Sequence, residues 1–273
     1  MNEYKNLIST SSYAGTYGAV IGDIYGSYYE FLHGPKTPKQ EIAIHHSSRF
    51  TDDTVLTAAI ASFLAKRDQH ASIAATLQSW ARKYPHAGFG GMFSEWIYED
   101  DPKPYHSFGN GSAMRVSPVA YYASSLEECQ QLAKEVTEVT HNHPEGIKGA
   151  ESVASAIFMA RNGKSKKEIK EYIVSEFGYN LSRTCDEIRP GYHHVESCQE
   201  TVPEAMTAFL EGTDFEDVIR TAVSLGGDCD TLTCIAGSIA EAFYGVPKEM
   251  KAECRKRLPM DMLAVLDRFE EMR

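Results

Sequence analysis

The chain has 273 residues, of which 42% are hydrophobic and 24% are charged, a composition typical of soluble globular proteins. This length is sufficient for one large domain with a sizeable core. The formal net charge of −11 argues against nucleic acids and anionic membranes as partners, because both would be repelled by an acidic surface.

The sequence also bears on the cellular compartment of the protein. No stretch is long and apolar enough to span a bilayer, and residues 1–6 do not lead into the apolar core of a signal peptide. The six cysteines include no C-x-x-C pair, so free thiols are expected. We therefore expect a cytoplasmic protein.

The first predicted helix lies within residues 15–32, where glycine and alanine alternate with large apolar side chains. Such a pattern is typical of a buried helix that packs closely against others. Asp23 and Glu30 are the exceptions. For Asp23 the sequence leaves two interpretations open, a surface acid or a buried acid with a partner. Glu30 ends an aromatic run just before a turn, so its carboxylate could face a pocket.

A cluster of hydroxyl and carboxylate side chains opens the next apolar helical pattern, with Thr51, Asp52, Asp53 and Thr54 in sequence. Thr and Asp are common N-cap residues, so the cluster could simply be a helix cap. A cap needs only one such side chain, however. The remaining side chains of the cluster are therefore candidates for ligand binding.

A glycine-flanked asparagine marks the middle of the chain, with Gly109, Asn110 and Gly111 followed by small polar residues. The backbone N–H groups of this loop could hold a phosphate at the start of the helix expected next, although a tight turn with an N-cap is equally compatible. We place Arg115 one turn into that helix. A guanidinium there could pair with a phosphate or an acid, which favours a ligand-binding loop.

A second acidic cluster lies near the C-terminus, where Asp228, Asp230 and Thr231 follow two glycines and precede an apolar helical stretch. The dipole of that helix would keep the carboxylates ionised. If this helix start meets the one at Thr51, four carboxylates converge and repel each other unless hard cations neutralise them. Oxygen ligands suit Mg²⁺ or Mn²⁺ rather than zinc. The sequence thus predicts a site for hard divalent cations.

The periodicity of the whole chain is helical. We count about ten to twelve helical patterns and no convincing alternating strand. The predicted fold is an all-α, compact multi-helix bundle that forms a single domain over residues 1–273.

Five segments together resemble the ADP-ribosylglycohydrolases, and the resemblance covers nearly the whole chain. These segments are residues 22–30, 51–53, 109–115, 140–141 and 226–231. The family implies a binuclear site for two Mg²⁺ or Mn²⁺ ions, whose ligands here would be Thr51, Asp52, Asp53, Asp228, Asp230 and Thr231. The catalytic carboxylates it implies are Glu30 and Asp53. The implied substrate-binding residues are Gly109, Asn110, Gly111, Ser112, Met114, Arg115 and His141.

The function that the resemblance implies is metal-dependent hydrolysis of the ribosyl C1 N- or O-glycosidic bond of an ADP-ribosylated protein or small molecule. Free ADP-ribose would be released, and we expect the enzyme to be a monomer. Two alternatives stay open at this point. One is another two-metal hydrolase acting on a nucleotide or phosphate ester. The other is a non-catalytic relative like the family's lens crystallins, against which the intact Glu30 position argues.

Overall fold

The computed structural model describes residues 15–32, 34–67 and 72–272, and these residues form fourteen α-helices and no β-strand. The all-α prediction is therefore confirmed. The helices are α1 (Tyr17–Gly26), α2 (Asp52–Leu64), α3 (Ile73–Lys83), α4 (Gly91–Trp96), α5 (Ser117–Tyr122), α6 (Leu126–Glu138), α7 (Pro144–Arg161), α8 (Lys166–Phe177), α9 (Cys185–Ile188), α10 (Cys198–Glu211), α11 (Phe215–Leu225), α12 (Cys229–Tyr244), α13 (Lys248–Arg255) and α14 (Met260–Glu271).

The structure bears on only one of the two expectations about targeting. Residues 1–6, on which the prediction about a signal peptide rests, lie outside the described residues. Among the described helices, none combines the length and the apolar character needed to cross a membrane. All six cysteines are buried and free, as the sequence predicts.

The centre of the fold is the antiparallel pair α1 and α12, whose backbones touch. A Cβ atom added to Gly22 would lie 2.2 Å from the carbonyl oxygen of Thr233, and one added to Gly18 would lie 2.3 Å from that of Gly237. Gly26 approaches Cys229 equally closely. Only glycine permits this approach, because any other residue would place a side-chain atom inside the partner backbone. The contact fixes the C-terminal end of α1 against the start of α12.

The other helices enclose this pair. Helices α2, α7, α10 and α11 contact it directly, while α3, α6, α8 and α14 pack on that inner layer. The inner helices are apolar around most of their circumference, and the outer ones bury a single face. This order follows from the sequence, since a helix that is apolar on all sides can only be stable inside the core.

The glycine-flanked loop differs in one detail from the prediction. Asn110–Ser112 forms one turn of 3-10 helix, and the following helix α5 begins only at Ser117. Pro118 lies in the first turn of α5, where the missing N–H group would have no partner within the helix in any case. Arg115 therefore precedes the helix instead of lying one turn inside it.

A carboxylate from α12 caps the beginning of α1. Thr16, the residue before α1, makes no capping bond with its side chain in the described structure. Instead, the backbone N–H of Gly18 donates to Glu241 Oε2 at 2.7 Å. Gly15 makes room for this carboxylate, because a Cβ there would lie 1.8 Å from Glu241 Oε1. Glu241 is thus a buried carboxyl group held by the N-terminus of a helix.

Burial raises the pKa of Glu241 from 4.5 to about 8, although the hydrogen bond from Gly18 opposes this shift. The nearby Glu270 raises the pKa further, and Lys251 lowers it. A carboxyl group whose pKa is raised on folding contributes stability that is fully present below about pH 4.5 and is lost as the pH rises through about 8. We predict that Glu241→Gln, which keeps the acceptor for Gly18, removes a slope of up to about 1.4 kcal/mol per pH unit from the free energy of unfolding in this range. Urea unfolding between pH 5 and pH 9 measures this slope, and the exposed Glu249→Gln is the control. An unchanged slope in Glu241→Gln would show that Glu241 does not titrate there.

Candidate active site

The two acidic helix starts meet in space. Thr51 caps α2, with its hydroxyl accepting from the N–H of Asp53, and Asp228 precedes the first turn of α12. The hydroxyl of Thr231 donates to Asp53 Oδ2 at 3.2 Å and so joins the two clusters directly. The convergence predicted from the sequence is present because α1 packs against both helices and so holds the start of α12 beside the start of α2.

Asp23 holds the start of α2 in place. Its Oδ2 accepts from the backbone N–H groups of Thr51 at 2.9 Å and Thr54 at 3.1 Å, and its Oδ1 accepts from the Thr51 hydroxyl at 2.8 Å. The Thr54 hydroxyl donates to it as well. Asp23 is completely buried, so the interpretation as a surface acid is wrong. Its position in an otherwise apolar, glycine-rich helix was the signal that could have revealed its partners.

The carboxylates form two overlapping sets. Ligand oxygens of Asp23, Asp53 and Asp230 lie within 4.8 Å of one another, and so do those of Glu30, Asp228 and Asp230. Asp230 belongs to both sets, which places it between two subsites. Asp52 lies outside both sets, at the floor of the adjoining cleft.

Burial and mutual repulsion dominate the electrostatics of these sets. They raise the pKa of Asp23 to about 7 and that of Glu30 to about 9, with Asp230 the largest source of repulsion in both cases. The pKa values of the carboxyl groups of Asp52, Asp53 and Asp228 are raised well above the usual range for the same reasons. In the described part of the chain, no lysine or arginine pairs with any of these carboxylates. Protons or bound cations must therefore balance their charge.

One oxygen of the cluster is left without a partner. Asp53 Oδ1 is buried and has no hydrogen-bond donor among the described residues, while Oδ2 is contacted by both Thr51 and Thr231. Buried oxygens without partners are rare because their desolvation is not repaid. An oxygen-only cluster with such a free acceptor fits a hard divalent cation.

A cleft of about 680 Å³ opens above the acids, and the glycine-flanked loop forms one of its walls. The side-chain amide of Asn110 donates to Asp228 Oδ2 at 2.7 Å and to the Thr201 hydroxyl at 3.1 Å, so it orients Asp228. Gly111 leaves space beside His141, whose Nε2 would lie 3.3 Å from an added Cβ. Sequence reasoning missed the link between this loop and the acid cluster.

The predicted binding residues lie at different depths. Gly109, Asn110, Gly111, Met114, Arg115 and His141 line the cleft. Ser112 is fully buried behind it, where its hydroxyl donates to the carbonyl oxygen of Gly146 at 2.9 Å. It therefore supports the packing of the loop against α7.

Arg115 and His141 share a partner at the base of this wall. Arg115 is fully buried, and its Nη2 donates to the Thr140 hydroxyl at 2.7 Å, which is also 2.8 Å from His141 Nδ1. Its Nε and Nη1 atoms have no partner in the described structure. Burial lowers the pKa of Arg115 to about 10, and burial together with the charge of Arg115 holds the pKa of His141 well below its usual range. His141 is therefore neutral at physiological pH.

The rim of the cleft is apolar. Phe31 is 65% exposed, Met92 57% and Phe108 48%, and all three line the opening above the acidic floor. Large exposed apolar side chains around a cavity are typical of ligand-binding sites. The cleft thus combines an acidic floor, a glycine-flanked loop and an apolar mouth.

Comparisons with known proteins agree with this arrangement. Residues 10–273 match the family described as ADP-ribosylglycohydrolase. The human ADP-ribosylhydrolase ARH3 is 25% identical, with 90% of each chain covered. ADP-ribosylarginine hydrolase Tri1 of Pseudomonas putida is 26% identical over 84% of this chain and 69% of its own.

The fold has a counterpart among solved structures. A chain of an "ADP-ribosylglycohydrolase-related protein complex" superposes with a TM-score of 0.73 at 21% identity and covers 96% of this chain and 98% of its own. At this identity the superposition supports the fold alone. The family match, however, extends over nearly the whole sequence and confirms the resemblance inferred from the five segments. The chain belongs to the ADP-ribosylglycohydrolase family, a family of hydrolases.

Proposed function

We propose that the protein is a metal-dependent hydrolase that cleaves the ribosyl C1 N- or O-glycosidic bond of an ADP-ribosylated substrate and releases ADP-ribose. The observation that carries this proposal is the pair of carboxylate sets joined by Asp230 at the floor of a cleft walled by the 109–115 loop. Both relatives named above are ADP-ribosyl hydrolases by their descriptions, which supports the same reaction class here.

The donors at the floor of the cleft suit two Mg²⁺ or Mn²⁺ ions. The side chains that would hold them are Thr51, Asp52, Asp53, Asp228, Asp230 and Thr231. All six offer oxygen atoms, and Asp53 Oδ1 has no other partner among the described groups. When bound, such ions supply Lewis-acid contacts to hydroxyl groups and lower the pKa of a coordinated water.

Asp23 and Asn110 act on the ligands instead of on the substrate. Asp23 uses both carboxylate oxygens to hold the backbone and hydroxyl of Thr51, and Asn110 fixes one oxygen of Asp228. These contacts orient the ligands before any ion arrives. A site organised in this way loses little entropy on binding.

Glu30 is the proposed proton carrier. It is half-buried at the edge of the cleft, and burial together with repulsion from Asp230 raises its pKa to about 9. A carboxyl group whose pKa lies above the usual range can take a proton from water or give one to a leaving group near neutral pH. Asp53 is the second carboxylate proposed to act on the reaction. Cleavage at C1 develops positive charge on the ribose, and a carboxylate oxygen close to C1 would stabilise that charge.

ADP-ribose is itself anionic, so an acidic protein needs local donors to bind it. Bound cations would supply the positive charge for the diphosphate. The backbone N–H of Gly109 already donates to Ser107 Oγ at 3.0 Å, and that of Asn110 donates to the carbonyl oxygen of Glu196 at 2.7 Å. Neutral His141 contributes a ring nitrogen that faces the space left by Gly111. Arg115 and Ser112 would support this wall from behind.

Metal binding is tested by stability. We predict that adding Mg²⁺ or Mn²⁺ to chelator-treated protein raises its melting temperature, because a ligand that binds only the folded state stabilises it by about 2.7 kcal/mol at 100 times its dissociation constant. Asp230→Asn should lose the effect, since Asp230 belongs to both carboxylate sets. Differential scanning calorimetry measures the shift, with the exposed Asp101→Asn as control. Equal shifts in Asp230→Asn and in the parent would contradict a shared metal site.

The loop is tested by Gly111→Val. The added side chain would press on His141 Nε2, which already lies 3.3 Å from the position of a Cβ, and would narrow the cleft. We expect weaker ADP-ribose binding in isothermal titration calorimetry, while Mn²⁺ binding stays at the parental value because Gly111 lies outside the carboxylate sets. Parental affinity for ADP-ribose in this variant would show that the loop is only a turn.

The reaction is tested by Glu30→Gln. Glutamine keeps the shape and hydrogen bonding of glutamate but cannot take up a proton, so the rate should fall by roughly 10²–10⁴-fold. The measurement is release of ADP-ribose from a panel of ADP-ribosylated peptides and nucleotides, followed by mass spectrometry. Binding of Mn²⁺ and ADP-ribose should persist, and the exposed Glu95→Gln should react at the parental rate. Full activity in Glu30→Gln would make Glu30 structural, and a panel with no cleavage by the parent would favour a non-catalytic relative.

A further inference from the structure

A second cavity, of about 560 Å³, adjoins the cleft. It lies between the segment that follows α8 and the beginning of α10. Val195 and Glu200 line both this cavity and the cleft, so the two spaces share a wall. No step of the proposed hydrolysis uses the second cavity.

A buried carboxylate with a free oxygen lines this cavity. The side chain of Glu204 is only 7% exposed, and its Oε1 accepts from Nη2 of Arg183. Its Oε2 is buried and has no hydrogen-bond partner within the described part of the chain. Burial raises the pKa of Glu204, although Arg183 opposes the shift. Such an oxygen gains free energy when a donor reaches it.

The charges around the cavity favour a cation as that donor. The charged side chains of the lining are Glu145, Lys148, Arg183, Glu187, Glu200 and Glu204. Both basic groups are already paired, Lys148 with Glu145 at 3.1 Å and Arg183 with Glu204. The remaining glutamates leave an acidic excess that would repel a phosphate or carboxylate.

The aromatic walls favour a cation as well. The rings of Tyr179 and Tyr192 line the cavity, and Lys148 Nζ lies 4.6 Å from the centre of the Tyr179 ring. The faces of such rings attract organic cations. A planar guanidinium can stack flat on a tyrosine and donate two parallel hydrogen bonds to a carboxylate at the same time, whereas an ammonium acts as a point charge without this fork geometry.

We propose that the second cavity binds the guanidinium of an arginine side chain close to the modified residue of an ADP-ribosylated protein substrate. This inference rests on the proposed function, since it takes the ligand to be part of the substrate. The shared wall formed by Val195 and Glu200 makes it geometrically possible for one polypeptide to occupy both spaces. Glu204 receives the guanidinium, and Glu200 lines both cavities.

The binding test uses unmodified peptides and so does not depend on hydrolysis. A short arginine peptide is titrated into the protein, and the same peptide with citrulline, a neutral isostere of arginine, is the matched ligand. We expect the arginine peptide to bind at least about tenfold more tightly, because a hydrogen bond to a charged group contributes this much. Glu204→Gln, which keeps an acceptor for Arg183, should remove the difference, whereas the exposed Glu176→Gln on α8 should keep it. Equal binding of the arginine and citrulline peptides, or of arginine and lysine peptides, would overturn the proposal.

Kinetics on modified peptides then connect the cavity to turnover. An ADP-ribosylated peptide with a neighbouring arginine should have a lower KM than its citrulline counterpart at equal kcat, and Glu204→Gln should abolish the difference. Glu200→Gln, at an exposed position that tolerates substitution, should reduce it. If the arginine peptide binds in a Glu204-dependent way but no ADP-ribosylated substrate is cleaved, the proposed function fails and the cation site stands without its link to the substrate. If substrates are cleaved with identical KM for both peptides, the cavity has no part in recognition.

Discussion

The contact between the backbones of α1 and α12 is the constraint on which the site depends. Three glycines of α1 allow an approach that no other residue would permit. As a result, two acids come to lie beside Asp230 at the start of α12. They are Asp23, in the C-terminal half of α1, and Glu30, in the turn after α1. Asp23 in turn caps α2 and brings Asp53 into the same cluster. Helix packing, and not a binding loop, therefore assembles the acids.

This arrangement has an electrostatic cost, because the acids repel one another. Six carboxyl groups with mostly raised pKa values share a small volume, and in the described structure none of them has a basic partner. The packing of α1 against α12 and the hydrogen bonds of Asp23 must hold the acids together against their repulsion. Glu241, at the opposite end of the same helix pair, is also a buried acid, but it is a single one. The N-terminus of α1 partly offsets the cost of its burial.

The sequence predicted the class of the fold and the meeting of the two acidic clusters, because both follow from local patterns. Helical periodicity gives helices, and repeated Thr and Asp side chains at two helix starts indicate a common ligand. It left the burial of Asp23 undecided, since that depends on which helix packs against α1. It also missed the hydrogen bond from Asn110 to Asp228, because no local pattern connects residues that are 118 positions apart. It missed the free oxygen of Glu204 because the surrounding pocket forms between separate segments of the chain.

The interlocked backbones also limit how the enzyme can move. A rotation or slide of α1 against α12 would drive a side chain into the opposing main chain, so this pair behaves as one rigid block. Any closure around a substrate must come from elements outside it. The turn at 88–91 is suited to such motion, because Gly88 has a φ of +110° and no described atom lies within 4 Å of a Cβ added to Gly90 or Gly91. That turn borders the cleft next to Asp52, whereas the acids on the rigid block would stay fixed throughout a catalytic cycle.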